Sequence, residues 1–135
     1  MIEFNKTNDF EIVNPDRVST WLHKVIQQEG KELGELNYIF CDDDYLHKMN
    51  VEFLNHDTLT DVISFDYTEG IIVSGDVYIS TERVADNAKD FEVTFVDELH
   101  RVMVHGLLHY CGYKDKTDVD QDLMTEKENY YLSKR

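Results

Sequence analysis

The stretch from Thr94 to Gly112 constrains the fold more than any other, because its helix is apolar over most of its circumference. Projected at about 100° per residue, Val96, Leu99, Met103, Leu107 and Tyr110 share one broad apolar side. Glu98, Arg101, His105 and His109 fall on the opposite stripe. A helix with so narrow a polar strip must be covered on most sides by other elements. Thr94 is placed to cap it, and Gly112 to stop it after Tyr110.

The remaining segments supply that cover. Asn14-Pro15-Asp16 suits a helix start, with Asn14 as cap, and Val18, Trp21, Leu22, Val25 and Ile26 follow at helical spacing until Gly30. Leu36 to Phe40 reads as a strand. Asp42-Asp43-Asp44 then precedes a helix with Tyr45, Leu46, Met49, Phe53 and Leu54 on its apolar face. That triplet lacks the alternating ligands and the glycine of a calcium loop, so it reads as a charged helix N-terminus. Asp61 to Tyr67 and Ile71 to Ile79 are β-branched and aromatic, and Glu69-Gly70 between them predicts a hairpin. Ser80 caps a helix to about Lys89, and Asp118 to Lys134 forms the last one. The expected class is α+β: one domain over residues 1–135, with a small mixed sheet of about four strands flanked by about five helices.

Charge narrows the function. The chain carries 28 Asp plus Glu against 13 Lys plus Arg, a net −15, so it has no broad basic face for duplex DNA. Contact with nucleic acid then needs a local cation, either a metal or a few clustered basic side chains. Two cysteines are too few for a disulfide framework, and the first residues lack the basic and apolar regions of a signal peptide. No apolar run approaches the ~20 residues that span a bilayer. A cytoplasmic protein without membrane contact is expected.

The chemistry is concentrated in His105-Gly-Leu-Leu-His-Tyr-Cys-Gly-Tyr-Lys-Asp115. Residues four apart share a helix face, so His105 and His109 can direct imidazole nitrogens at one ion. Gly112 permits a left-handed residue that turns the chain back, and Asp115 can then deliver an oxygen to the same point. Three protein ligands with a fourth position open is the pattern of a catalytic zinc site. A histidine pair at this spacing also arises by chance. The glycine at +7 and the carboxylate at +10 repeat the long zincin motif and favour one Zn²⁺ or another divalent transition metal. Zincin proteases place a general-base Glu directly after the first His, where this chain has Gly106. Gly106 instead suits close packing against another element. His100 lies off the ligand stripe and reads as a surface residue, while His23, His47 and His56 are assigned no role. Cys111 points away from the histidines and reads as packing.

These residues resemble the YbeY family of bacterial ribosomal-RNA maturation factors, whose signature reads His-Gly-x-Leu-His-Leu-x-Gly-Tyr-Asp-His. His105, Gly106, Leu108, His109, Gly112 and Tyr113 match it. The likeness extends to Asn50–Phe65 (NVEFLNHDTLTDVISF), to Gly75–Ser80 (GDVYIS), and to Met124 and Glu128 of a C-terminal Met-x-x-x-Glu. The resemblance implies a small mixed sheet flanked by helices. It also implies a zinc-dependent, single-strand-specific endoribonuclease acting in 16S rRNA 3′-end processing and ribosome biogenesis. Its partners would be single-stranded RNA, rRNA of the small subunit, and ribosomal proteins or assembly factors.

Two positions depart from the family. Asp115 stands where the family has a third His, a harder ligand that loosens the preference for zinc. Leu54 stands where an Arg linked to RNA handling is usual. Arg101, one turn before His105, either contacts a phosphate or pairs with Glu98 or Asp97 on its own helix. Asp61 and Asp76 are candidate bases or supporting carboxylates, which strand-end capping explains equally well, and no general base is assigned. Two alternatives remain open: a metal-stabilised ribosome-assembly factor with little catalysis, and a zincin-like metallohydrolase or protease.

Overall fold

The structure, a computed structural model, describes residues 1–54 and 60–135; His56 and the Leu54 side chain, both considered above, lie outside what it describes. Within the described residues the order is β1 (Ile2–Lys6), α1 (Pro15–Gln28), β2 (Glu32–Cys41), α2 (Asp43–Leu54), β3 (Val62–Asp66), β4 (Ile72–Ser80), α3 (Thr81–Asp90), α4 (Phe95–Tyr110) and α5 (Asp118–Leu132). The strands form one sheet in the order β1-β2-β4-β3. Parallel pairs join β1 to β2 and β2 to β4, while β3 runs antiparallel to β4. The mixed sheet and helices match the expected α+β class, including the hairpin, in which Gly70 supplies the left-handed turn residue at φ 58°.

The fourth strand is β1, which the hydrophobic pattern did not single out. Five residues alternating Ile-Glu-Phe-Asn-Lys carry too little periodic signal alone. Their pairing with Leu36 to Phe40 of β2 makes them a strand. Asn14 also departs from its expected role. It sits at the start of α1 in a left-handed conformation (φ 53°) and makes no side-chain cap, so Pro15 and Asp16 mark that start instead. Ser80, Thr94 and Thr117 do cap, each accepting from the backbone N–H three residues on. Asp43 and Asp44 occupy the first turn of α2, and the Asp43 carboxylate receives Arg83 Nη2 at 3.0 Å, as a helix N-terminus should.

Helix α4 runs through the core, packed on β3, β4, α3 and α5. Leu99, Val102, Met103, Val104, Leu107 and Leu108 are all buried. Two side chains differ from the helical projection: Val96 is 41% exposed, and Glu98 is only 5% exposed. A projection treats every turn alike, whereas Val96 in the first turn lines an open hollow with Val13 and Arg17, and Glu98 lines a cavity. His100 is not a free surface residue either. Its ring lies 5.4 Å from that of Trp21, and its Nδ1 lies 2.9 Å from Arg135 Nη1.

The helix meets the sheet most closely at Tyr110. Its hydroxyl donates to the carbonyls of Phe65 and Asp76, both at 3.1 Å. A Cβ on Gly75 would come within 2.5 Å of the Tyr110 ring and 2.6 Å of the Phe65 carbonyl. Gly75 is therefore required, whereas a Cβ on Gly106 would meet Val77 at an ordinary 3.4 Å.

Gly75→Ala should cost about 1–3 kcal/mol in urea unfolding, the usual penalty of overpacking; an unchanged midpoint would contradict the contact. A second expectation concerns pH. Burial first, then the Arg135 charge, pushes the His100 imidazole from 6.5 down to about 4. As pH falls below 6.5 the unfolded chain takes up this proton before the folded chain does, so stability drops until about pH 4. His100→Gln should flatten that part of the stability–pH curve relative to wild type, as measured by denaturant melts at several pH values.

Candidate metal centre

The last two turns of α4 carry His105 and His109, and the chain must reverse there to bring Asp115 back. Gly112 adopts φ 107°, open to glycine at little cost. Its N–H donates to the His109 carbonyl at 3.0 Å, and the Tyr113 N–H donates to the Leu108 carbonyl at 3.1 Å. This is the paired closure of a Schellman turn. Gln121 Nε2 then donates to the Asp115 carbonyl at 3.0 Å, holding the returning segment to the start of α5.

As a result, three side-chain atoms converge. His105 Nε2 and His109 Nε2 are 3.0 Å apart, and Asp115 Oδ2 lies 3.4 Å from the first and 3.2 Å from the second. Ligands about 2.0–2.1 Å from a tetrahedral zinc are separated by about 3.3 Å. The opposite ring nitrogens are engaged as well. His105 Nδ1–H donates to Glu128 Oε2 at 2.6 Å, and His109 Nδ1–H donates to the Tyr113 carbonyl at 3.0 Å. Both partners are acceptors, so both rings carry their proton on Nδ1 and turn an Nε2 lone pair inward. Two imidazole lone pairs and a carboxylate facing one point repel one another unless a cation lies between them. His105, His109 and Asp115 could thus hold one metal ion, with acceptors behind the histidines as metal sites require.

The local field has the same sign. Burial by itself would lower the His105 imidazole, but the hydrogen bond and charge of Glu128, with Asp115 and Asp61, hold it above its ordinary value. Glu128 links the site to its surroundings: Oε1 receives Arg101 Nη1 at 2.9 Å, and Arg101 Nη2 donates to Asn129 Oδ1 at 2.7 Å. The Arg101 ion pair is therefore with α5, not with Glu98 or Asp97 as its helical spacing suggested. Glu128 is the site residue that the sequence reading matched to a motif without giving it a role. Met124-x-x-x-Glu128, an acid on the buried face of α5, was its only signal.

A cavity of about 420 Å³ opens beside this cluster, and His105, Asp115, Asp61, Glu98 and Arg101 are among the residues that line it. Asp76 is not brought there; it accepts from Asn37 Nδ2 at 3.0 Å and lines a separate hollow on the sheet. Cys111 is half-buried against the core, and burial pushes its thiol up to about 11, as its packing role implies.

Comparison with known proteins places this geometry in a family. The Endoribonuclease YbeY of Flavobacterium johnsoniae is 61% identical over 129 residues, spanning 96% of this chain and 93% of the relative. The Endoribonuclease YbeY of Flavobacterium psychrophilum is 59% identical, spanning 98% of this chain and 94% of its own length. A Thermotoga maritima protein of known solution structure superposes with a TM-score of 0.73 at 28% identity, over 98% of this chain and 87% of that one. Residues 3–135 match the family described as Endoribonuclease YbeY, and the chain belongs to it.

Proposed function

We propose that this chain is a metal-dependent endoribonuclease that cuts single-stranded RNA during maturation of small-subunit rRNA, at the 3′ end of 16S rRNA. It would form one catalytic domain over residues 1–135 and work in the cytoplasm with ribosomal proteins or assembly factors. No described helix is long and apolar enough to cross a membrane. The observation that carries the reading is the convergence of His105 Nε2, His109 Nε2 and Asp115 Oδ2 on one point in a chain of this family. We assign the site one zinc ion. Asp115 as a hard third ligand widens the set to other divalent transition metals.

A metal ion held by His105, His109 and Asp115 would supply Lewis acidity toward a phosphodiester oxygen. The protein's own contribution is positional. Glu128 and the Tyr113 carbonyl fix both imidazole rings in the tautomer that presents Nε2. Arg101, held by Glu128 and Asn129 on the cavity wall, sets a guanidinium where a phosphate charge must be offset. RNA brings its own nucleophile, the 2′-hydroxyl, so the protein need only orient the strand and stabilise charge. The net −15 opposes non-specific RNA affinity, so binding depends on this local cationic centre and on surfaces supplied by the ribosomal particle. The protease alternative loses support at position 106, whose side-chain direction faces Val77 in β4.

Elemental analysis of purified protein should give close to one metal ion per chain. Asp115→Ala should lose it, together with more than about 100-fold of the cleavage rate on a single-stranded RNA, beyond the usual effect of a supporting residue. Full metal content and activity in that variant would remove the assignment. Glu128→Gln should weaken metal affinity by about 10–100-fold while leaving the three ligands in place. Competition with a fluorescent chelator measures this, and an unchanged affinity would show that Glu128 serves only Arg101.

A further inference from the structure

The cavity beside His105 and Asp115 is also lined by residues that take no part in the candidate metal centre. Val62, Val102 and Met124 contribute apolar side chains to its lining, and Glu98 lines the same cavity. Glu98 is 95% buried, and among the described residues no donor hydrogen-bonds to its carboxylate. Burial and the neighbouring Asp61 charge push its carboxyl up, against the opposing pull of Arg101. The Glu98 oxygens are not sealed from solvent, so the carboxylate opens on the cavity, where donors arriving from outside can meet it.

Seven residues separate Glu98 from His105 on α4, about 10 Å along the helix at 1.5 Å per residue. That is too far for Glu98 to touch the phosphate under attack. It suits the edge of a base carried by the same strand. The apolar side chains in the lining suit a base's faces, and a volume of about 420 Å³ is within the range of small-ligand sites. A hydrated divalent cation fits less well, because magnesium keeps its water and does not favour a deep, half-apolar wall.

Resting on the endoribonuclease reading of the metal centre, we propose that this cavity holds a nucleobase subsite in which Glu98 accepts from the Watson–Crick edge of a guanine. Among the four RNA bases only guanine offers two adjacent donors, N1–H and the N2 amino group, which a single carboxylate can accept together. Uracil flanks its one donor with carbonyls that repel a carboxylate. Adenine and cytosine set an acceptor beside their amino group. Each good bidentate pair discriminates against the wrong base by roughly tenfold or more.

The test uses the metal-loaded full chain and four single-stranded RNA oligomers that differ only in the base next to the cleaved bond, placed on either side in turn. Wild type should cut the guanine oligomer roughly tenfold faster than the others. Inosine, which lacks the N2 amino group, should remove much of that advantage. Glu98→Gln should abolish the guanine preference while retaining bound metal and cleavage of the other oligomers. A structural role for Glu98 would slow all four equally. That outcome overturns the proposal, as does cleavage without base preference or a Glu98→Gln defect repaired by added Mg²⁺. Guanosine 5′-monophosphate binding, measured by titration against the other three nucleotides, separates the two readings. Selective binding lost in Glu98→Gln, in a protein that cuts no RNA, would support the subsite and sink the nuclease; RNA cleavage with equal binding of all four would do the reverse.

Discussion

The close approach of Tyr110 to the backbone of Gly75 fixes how far α4 sits from the sheet, and the positions of both histidines follow from it. The tyrosine ring occupies the space a side chain at 75 would need, and its hydroxyl bridges carbonyls on β3 and β4. With the helix seated there, its apolar sides are taken up by the sheet, α3 and α5. Only one strip remains open to the cavity. The histidines can therefore be half-exposed at the end of a helix that is otherwise core, which gives them rigid support and solvent access together.

Helix α5 contributes as much to the centre as α4 does. Glu128 shares its two oxygens between His105 and Arg101, so one buried carboxylate orients a ligand and fixes a cation. A buried acid is unfavourable alone, and here each carboxylate oxygen is met by a charged or ring donor. In a chain so rich in carboxylates, such pairing decides which acids are supporting elements and which stay open to a ligand. Glu128 belongs to the first kind and Glu98 to the second.

Features written in short stretches of sequence were legible: the α4 apolar pattern, the β3–β4 hairpin, the hydroxyl caps and the three converging side chains. Each depends on residues within about ten positions, where spacing and turn chemistry act directly. What escaped depends on distant partners. β1 becomes a strand because β2 pairs with it, and Asn14 loses its capping role to a left-handed backbone. His100 becomes half-buried because Trp21 and Arg135 meet it. Arg101 looked to acids on its own helix, yet its partner lies 27 residues away on α5. Helical spacing ranks neighbours on one cylinder and is blind to the next.

The turn at Gly112 has a consequence of its own. The same few residues end α4, place the Tyr113 carbonyl behind His109 and return Asp115 to the two histidines. An ion held by these side chains would be coupled to this corner, so binding it should stabilise the turn against fraying. A β-branched residue at position 112 would strain the backbone at φ 107°, a cost carried by the folded turn and passed on to any ion held there. Amide exchange at the helix tip would then report occupancy of the centre directly, as a local gauge independent of turnover.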